Sequence, residues 1–139
     1  MYYYVEPEIS GGIGASSIMD NSCHPPIVKK LNYEFDGWLG DDIIESFPCF
    51  VISEKLKIEL EEHSLSGFSL DDVEITKSEK FTDLHPNKDL PTFYWLKISG
   101  KAGKDDFGIA EDFRLVISEK TLSIFKKNKI DHADIEKFQ

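Results

Sequence analysis

A five-residue sequence, Val-Ile-Ser-Glu-Lys, occurs twice in this chain, at residues 51–55 and again, 65 positions later, at residues 116–120. The apolar positions that follow the two copies correspond at the same spacing: Leu60 with Phe125, Leu65 with Ile130, Leu70 with Ile135 and Val73 with Phe138. The chain is therefore expected to build one structural unit twice. The repeated residues supply a structural pattern and no catalytic chemistry.

Each copy predicts a strand, a capping serine and a helix. An apolar segment of high β-propensity comes first, at residues 49–52 and 115–117. Ser53 and Ser118 follow as N-caps, and the glutamate after each serine suits the helix dipole. The two predicted helices cover residues 54–63 and 119–128. A duplication and a convergence on common helix-start rules explain this pattern equally well, and both make the serines caps rather than nucleophiles.

Short elements are also predicted along the rest of the chain. The predictions are strands at residues 2–5, 32–35, 72–76, 92–98 and 107–109, a helix at 41–47 and a long loop over 10–30. Strands and short helices that alternate in a chain of 139 residues indicate one α+β domain, residues 1–139. Its sheet is expected to be mixed or antiparallel, with two similar strand–cap–helix units.

The charge of the chain limits its partners. There are 26 acidic against 16 basic residues, a net charge of −10, and Arg114 is the single arginine. Nucleic acid is disfavoured because phosphate binding needs clustered lysine and arginine. No apolar segment approaches the ~20 residues that span a bilayer, and the N-terminus does not resemble a secretory signal. We therefore expect a cytoplasmic protein whose acidic surface suits a basic protein partner.

Metal-binding and catalytic patterns are not found in the sequence. No two histidines have the i, i+4 spacing of a helical zinc pair, and no CxxC motif occurs. The side chains considered were Cys23, His24, Cys49, His63, His85 and His132. We predict no catalytic residue, no metal and no cofactor. Cys49 has apolar neighbours and is expected to be buried, whereas Cys23 is expected in a loop, and whether the two ever pair stays open.

Seven residues are candidates for binding a partner. Six of them form three Asp-Asp pairs: Asp41–Asp42, Asp71–Asp72 and Asp105–Asp106. We favour solvated charge over a catalytic carboxylate pair for them, because adjacent aspartates seldom converge in a pocket. The seventh is Trp38, which lies between Gly37 and Gly40 and is either a plug into the core or an exposed anchor, the plug being favoured.

Several segments resemble a known group of proteins. They are Phe35–Leu56, Leu90–Ile98, Gly100, Gly103, Asp105–Gly108 and the second Val-Ile-Ser-Glu-Lys. Over residues 30–138 the chain is similar to small bacterial proteins, mostly of unassigned role, that resemble immunity proteins of polymorphic toxin systems. The resemblance implies a non-catalytic protein that binds a cognate toxin domain in the cytoplasm and blocks it.

Two other classes of function stay open. The first is a small-ligand binder or enzyme with a site under the 10–30 loop, which would require Cys23, His24 and a carboxylate to converge. The second is a structural or regulatory module in a homo-oligomer, in which Tyr2–Val5 pairs as an exposed edge strand across a two-fold axis.

Overall fold

The computed structural model describes all 139 residues and has an α+β fold, as the sequence predicts. Its helices are α1 (Glu54–Glu61), α2 (Glu79–Leu84) and α3 (Glu119–Phe125). Its strands are β1 (Tyr2–Glu6), β2 (Gly11–Ile13), β3 (Ile18–Asp20), β4 (Ile27–Lys30), β5 (Asn32–Phe35), β6 (Ile43–Ser46), β7 (Cys49–Ser53), β8 (Phe68–Asp71), β9 (Glu74–Lys77), β10 (Phe93–Ile98), β11 (Phe107–Ile109), β12 (Leu115–Ser118) and β13 (Asp134–Lys137). None of the three helices combines the length and the apolar character that crossing a bilayer requires.

The two copies of the repeat form two four-stranded sheets with equivalent strand orders, β6-β7-β10-β8 and β11-β12-β1-β13. We call β6, β7, α1, β8 and β10 the first unit, and β11, β12, α3, β13 and β1 the second unit. The registers also agree, because Tyr94 lies opposite Ile52 in the first unit and Tyr3 lies opposite Ile117 in the second. The second unit therefore takes its central strand from the other end of the chain.

The position of β1 contradicts one expectation from the sequence. The strand predicted at residues 2–5 is confirmed, but the homo-oligomer alternative requires it to be an exposed edge, whereas β1 lies between β12 and β13 and pairs with both. Its backbone hydrogen bonds are therefore used inside the sheet. A homo-oligomer built by pairing this strand across a two-fold axis is excluded.

Both predicted serine caps are confirmed. The Ser53 side chain accepts a hydrogen bond from the Leu56 amide, and the Ser118 side chain accepts one from the Thr121 amide. Both helices end earlier than predicted, at Glu61 and Phe125. The helix α2 was not predicted, although Ser78 caps it and is followed by glutamate, as the other two caps are.

The two units share one core. A cluster of 13 buried residues draws side chains from both units: Val5, Ile43, Phe50, Ile52, Leu56, Leu60, Leu96, Phe107, Leu115, Ile117, Leu122, Ile124 and Phe125. The helices α1 and α3 pack against each other in this core. Because neither unit buries its inner face alone, the chain folds as a single domain.

The outer faces of the two sheets are covered differently. Val51 and Trp95 of the first unit pack against a second cluster that includes Tyr33, Phe35 and Phe81. These aromatic residues belong to α2 and to the three-stranded sheet β2-β5-β9, in which β5 and β9 are parallel. In the second unit a turn at residues 101–104, the C-terminal Phe138 and the Arg114 side chain lie on this face, without a further sheet.

The helix predicted at residues 41–47 is wrong, because this segment contains the strand β6. Ile43 and Ile44 point to opposite faces of the sheet, and both are fully buried. They lie opposite Ile52 and Val51 of β7. A β-branched pair that must be buried on both faces fits a strand better than a two-turn helix.

Two further segments differ from prediction. Residues 10–30 contain β2, β3 and β4 rather than an uninterrupted loop, and β3 and β4 form a hairpin that pairs with no other strand. The strand predicted at 72–76 is instead two strands, β8 and β9, on either side of Asp72 and Val73. In both segments the strands have only three or four residues, too short for a periodic signal to emerge from the sequence.

Candidate functional site

Asp42 is buried and joins the two units. Its Oδ1 atom accepts a hydrogen bond from the Ser53 hydroxyl at 2.7 Å, and its Oδ2 atom accepts one from the Lys129 amide at 2.8 Å. Ser53 caps α1 of the first unit, whereas Lys129 follows α3 of the second. The Lys55 ammonium lies 3.8 Å from the same carboxylate. Asp42 is therefore an internal brace and not part of an exposed acidic surface.

Asp106 makes the equivalent contacts from the second unit. Its Oδ1 atom accepts a hydrogen bond from the Ser118 hydroxyl at 2.7 Å, and its Oδ2 atom accepts one from the Ser66 amide at 2.9 Å. Ser66 follows α1 of the first unit. Each aspartate therefore accepts one hydrogen bond from the capping serine of its own unit and one from a backbone amide of the other unit. The neighbouring Asp105 accepts a hydrogen bond from the Lys101 amide at 2.7 Å, which closes the turn before β11.

Asp41 belongs to a polar cluster with the buried Glu8 and the exposed His132, and the sequence did not reveal this cluster. Its Oδ2 atom accepts a hydrogen bond from the His132 amide at 2.8 Å, and its Oδ1 atom lies 3.0 Å from His132 Nδ1. The hydrogen bond to Asp41 raises the pKa of His132. Glu8 is also buried there, and its carboxylate accepts hydrogen bonds from the amides of Asp41 and Leu39 and from the Ser10 hydroxyl.

The donor atoms of Glu8, Asp41 and His132 lie within 4.8 Å of one another, close enough to be considered for a metal. Each of the four carboxylate oxygens already interacts with an N–H or O–H group or with the His132 ring of this chain. The cluster is therefore satisfied by its own hydrogen bonds, and its evident role is to hold the loop before β6 against the segment after α3.

Only one of the three aspartate pairs is exposed. Asp71 is the last residue of β8 and Asp72 follows it in the turn before β9, and the Asp71 carboxylate is 3.4 Å from the Lys97 ammonium. The other two pairs are engaged in structural hydrogen bonds at the starts of β6 and β11. The three pairs therefore do not combine into one acidic surface.

Trp38 is half-buried and packs onto the second core. Its ring meets Phe93 edge-on, with 5.6 Å between ring centroids, and its Nε1 atom donates a hydrogen bond to the Asp41 carbonyl at 2.9 Å. The Lys88 ammonium lies 5.6 Å from the centre of the ring and donates a hydrogen bond to the Trp38 carbonyl at 2.7 Å. These contacts hold Trp38 in place as a packing residue.

Three exposed carboxylates surround the single arginine, and we call this group the Arg114 cluster: Arg114, Glu6, Asp112 and Glu136. The Arg114 guanidinium is 2.8 Å from Asp112, 3.5 Å from Glu136 and 3.8 Å from Glu6. It also lies 3.6 Å from the centre of the Tyr4 ring. The three carboxylate side chains are 51–72% exposed, and one cation among them leaves a net negative charge on this surface.

Glu45 borders this cluster and titrates near neutral pH. Burial, and then repulsion from Glu6, raise the pKa of Glu45 to about 7. Between pH 4.5 and 7 the folded protein holds a proton at Glu45 that the unfolded chain has lost. The free energy of unfolding must therefore fall as the pH rises through this window. His132 acts in the same direction, because its pKa is also raised on folding.

Replacing Glu45 with glutamine is expected to remove the Glu45 part of this pH dependence. Glutamine keeps the shape without the charge, so Glu45→Gln should stabilise the protein at pH 8 by about 1 kcal/mol after solvent screening, and little at pH 5. Urea unfolding at the two pH values measures the difference. Glu34→Gln, at an exposed position of β5, is the control. An unchanged pH slope in Glu45→Gln would contradict the assignment.

Three rings form an aromatic cluster beside the Arg114 cluster: the exposed His24 and Phe47 and the partly buried Phe113. The ring centroids are 5.9 Å apart for His24 and Phe47, 5.4 Å for His24 and Phe113, and 6.0 Å for Phe47 and Phe113. Phe47 is 44% exposed, and Phe113 is the one non-glycine residue with a positive φ, 70°. An apolar cavity of about 240 Å³ lies nearby, lined by Pro25, Pro26, Val28, Pro48, Cys49, Phe50, Trp95, Leu96, Lys97, Ile98 and Ile109.

The residues proposed for an enzyme under the 10–30 segment do not form an acid–base site. Cys23 and His24 are exposed near the tip of the β3–β4 hairpin, and no hydrogen bond joins either to a carboxylate. Cys49 is buried, and burial raises the pKa of its thiol to about 12. Both cysteines are unpaired in this structure. The adjacent cavity is also smaller than the roughly 300 Å³ at which ligand pockets begin.

In comparisons with protein-family models, curated proteins and solved structures, none matches this chain.

Proposed function

We propose that this chain is a non-catalytic cytoplasmic binding protein of the immunity type, which neutralises a cognate basic toxin domain by covering it. The observation that carries this proposal is the Arg114 cluster, where three exposed carboxylates surround one cation. The resemblance of residues 30–138 to immunity-type proteins supports it, as does the net charge of −10.

The proposed mechanism is electrostatic attraction followed by steric block. A toxin that cleaves nucleic acid presents lysine and arginine to the phosphates of its substrate. An acidic partner accelerates encounter with such a surface and then occupies it. A specific complex of this kind buries roughly 800 Å² on each partner. Inhibition therefore requires no chemistry from the immunity protein.

The test begins with the reading frame directly upstream of this gene, which is expected to encode a toxin-sized protein. Cells that express its product are expected to survive only when this chain is co-expressed. The purified pair should form a complex whose association rate falls steeply between low and high salt, because charged groups steer the encounter. Killing that continues despite co-expression would overturn the proposed function, and an association rate insensitive to salt would overturn the electrostatic mechanism.

A further inference from the structure

We propose that the partner docks on one continuous surface formed by the aromatic cluster and the Arg114 cluster, and that the docking face of this partner is a basic protein surface with exposed apolar side chains. This inference rests on the proposed function and deepens it by locating the contact. The seven residues of the surface are His24, Phe47, Phe113, Arg114, Glu6, Asp112 and Glu136.

The aromatic cluster and the Arg114 cluster adjoin each other at two places on the surface. Phe113 lies between Asp112 and Arg114 in the sequence, so the loop between β11 and β12 carries members of both clusters. On the other side, Phe47 follows β6, and Glu45 of that strand is close enough to Glu6 for repulsion to raise its pKa. Acidic groups therefore border the rings at both hairpin ends.

The rings suit an interface anchor more than a core. Phe47 exposes 44% of its surface, and the His24, Phe47 and Phe113 rings make their aromatic contacts only with one another. Phe113 also adopts a backbone conformation that costs a non-glycine residue about 1 kcal/mol. Binding energy at interfaces concentrates in central aromatic residues surrounded by a polar rim. In this surface the rings lie next to the carboxylates of the Arg114 cluster, which form a polar rim on that side.

The charge of the rim selects the partner. Glu6, Asp112 and Glu136 outnumber Arg114, so an acidic partner would be repelled. A second copy of this chain carries the same rim and the same net charge of −10, and would be repelled as well. The basic occupant is the one whose charge complements the surface.

A fluorophore on Cys23 can report docking directly. Cys23 is exposed and adjacent to His24, whereas the Cys49 thiol is buried with its pKa raised to about 12, so a maleimide dye labels Cys23 selectively. The probe is a short synthetic peptide of lysine and leucine, and a glutamate–leucine peptide of equal length is its charge-reversed control. Saturable quenching by the first peptide alone is the expected result. Equal quenching by both peptides, or none by the first, would overturn the proposal.

Variants with matched controls distinguish a loss of peptide binding from a loss of stability. Phe113→Gly removes a ring where the positive φ favours glycine, so it should weaken peptide binding about ten-fold while the melting temperature stays within a few degrees. Phe47→Ser is a second ring deletion, and Ile58→Ser, at a 49% exposed position of α1, is its control for lost apolar surface. Binding by Phe113→Gly and Phe47→Ser at wild-type strength would overturn the proposal.

Two charge variants and a cell assay complete the test of the docking surface. Glu136→Gln should weaken binding about three-fold and reduce its salt dependence, whereas Glu62→Gln, at the exposed C-terminal cap of α1, should do neither. Survival in the toxin assay tells the two proposals apart. Loss of protection by Phe113→Gly would support this docking surface. Full protection by Phe113→Gly would refute the docking surface and leave the proposed function intact.

Discussion

Replacing Asp42 with alanine is expected to lower the free energy of unfolding by about 3 kcal/mol. Asp42 is 7% exposed, and its carboxylate accepts hydrogen bonds from the Ser53 hydroxyl and the Lys129 amide. Alanine leaves the buried Ser53 hydroxyl and the part-buried Lys129 amide without this acceptor, and hydrogen bonds to a charged group contribute about 1.5–3 kcal/mol each. Urea unfolding followed by circular dichroism measures the loss.

The other aspartates provide graded controls for this prediction. Asp106→Ala should cost about half as much, because its partner Ser66 is exposed and water can replace the lost bond. Ser53→Ala, which removes the cap and leaves the carboxylate, should cost about 1 kcal/mol. Asp72→Ala is exposed and should stay within about 0.5 kcal/mol of wild type. An Asp42→Ala variant no less stable than Asp72→Ala would refute the bracing role.

Replacing Phe107 with alanine is expected to cost about 4 kcal/mol, the largest effect of any single change proposed for this protein. Phe107 is fully buried, and its ring lies 4.8 Å from that of Phe68 and 6.1 Å from that of Phe125. Phe68 belongs to the first unit, whereas Phe107 and Phe125 belong to the second. The cavity left by alanine would therefore open at the contact between the units.

The two tryptophans make this variant a test of the shared core. Trp95 lies in β10 of the first unit and Trp38 packs on Phe93 of the same strand, so fluorescence follows the first unit alone. If the units share one core, Phe107→Ala in the second unit should shift the fluorescence transition as far as the circular dichroism transition. A fluorescence transition that stays at its wild-type midpoint would show that the units unfold separately.

The repeated Val-Ile-Ser-Glu-Lys segment shows which features of the fold follow from local sequence rules. A serine followed by glutamate after an apolar strand starts a helix in both units, because the side-chain oxygen satisfies an amide three residues on and no distant contact is needed. The sequence correspondence of Leu70 with Ile135 also holds in the two sheets, where Leu70 lies opposite Leu96 and Ile135 lies opposite Val5. The same rules failed at residues 41–47, where pairing with β7 overrode an apparent helix start.

The site residues were harder to foresee than the fold. The Asp-Asp pairs are conspicuous in the sequence, yet two of the three are engaged in structural hydrogen bonds. The Arg114 cluster draws its carboxylates from β1, from the loop before β12 and from β13, and no spacing along the chain marks them as neighbours. The sequence identifies the single arginine but not its surroundings.

Residue order alone establishes the α+β class, the two strand–cap–helix units and the strongly acidic charge, because each depends on local propensity or composition. Tertiary structure decides that β1 completes the second sheet, that Asp42 and Asp106 link the units reciprocally, and that aromatic and acidic side chains meet at two hairpin ends. These features join residues far apart in the chain. Their positions follow from strand register and from the burial of a common core, which no local pattern encodes.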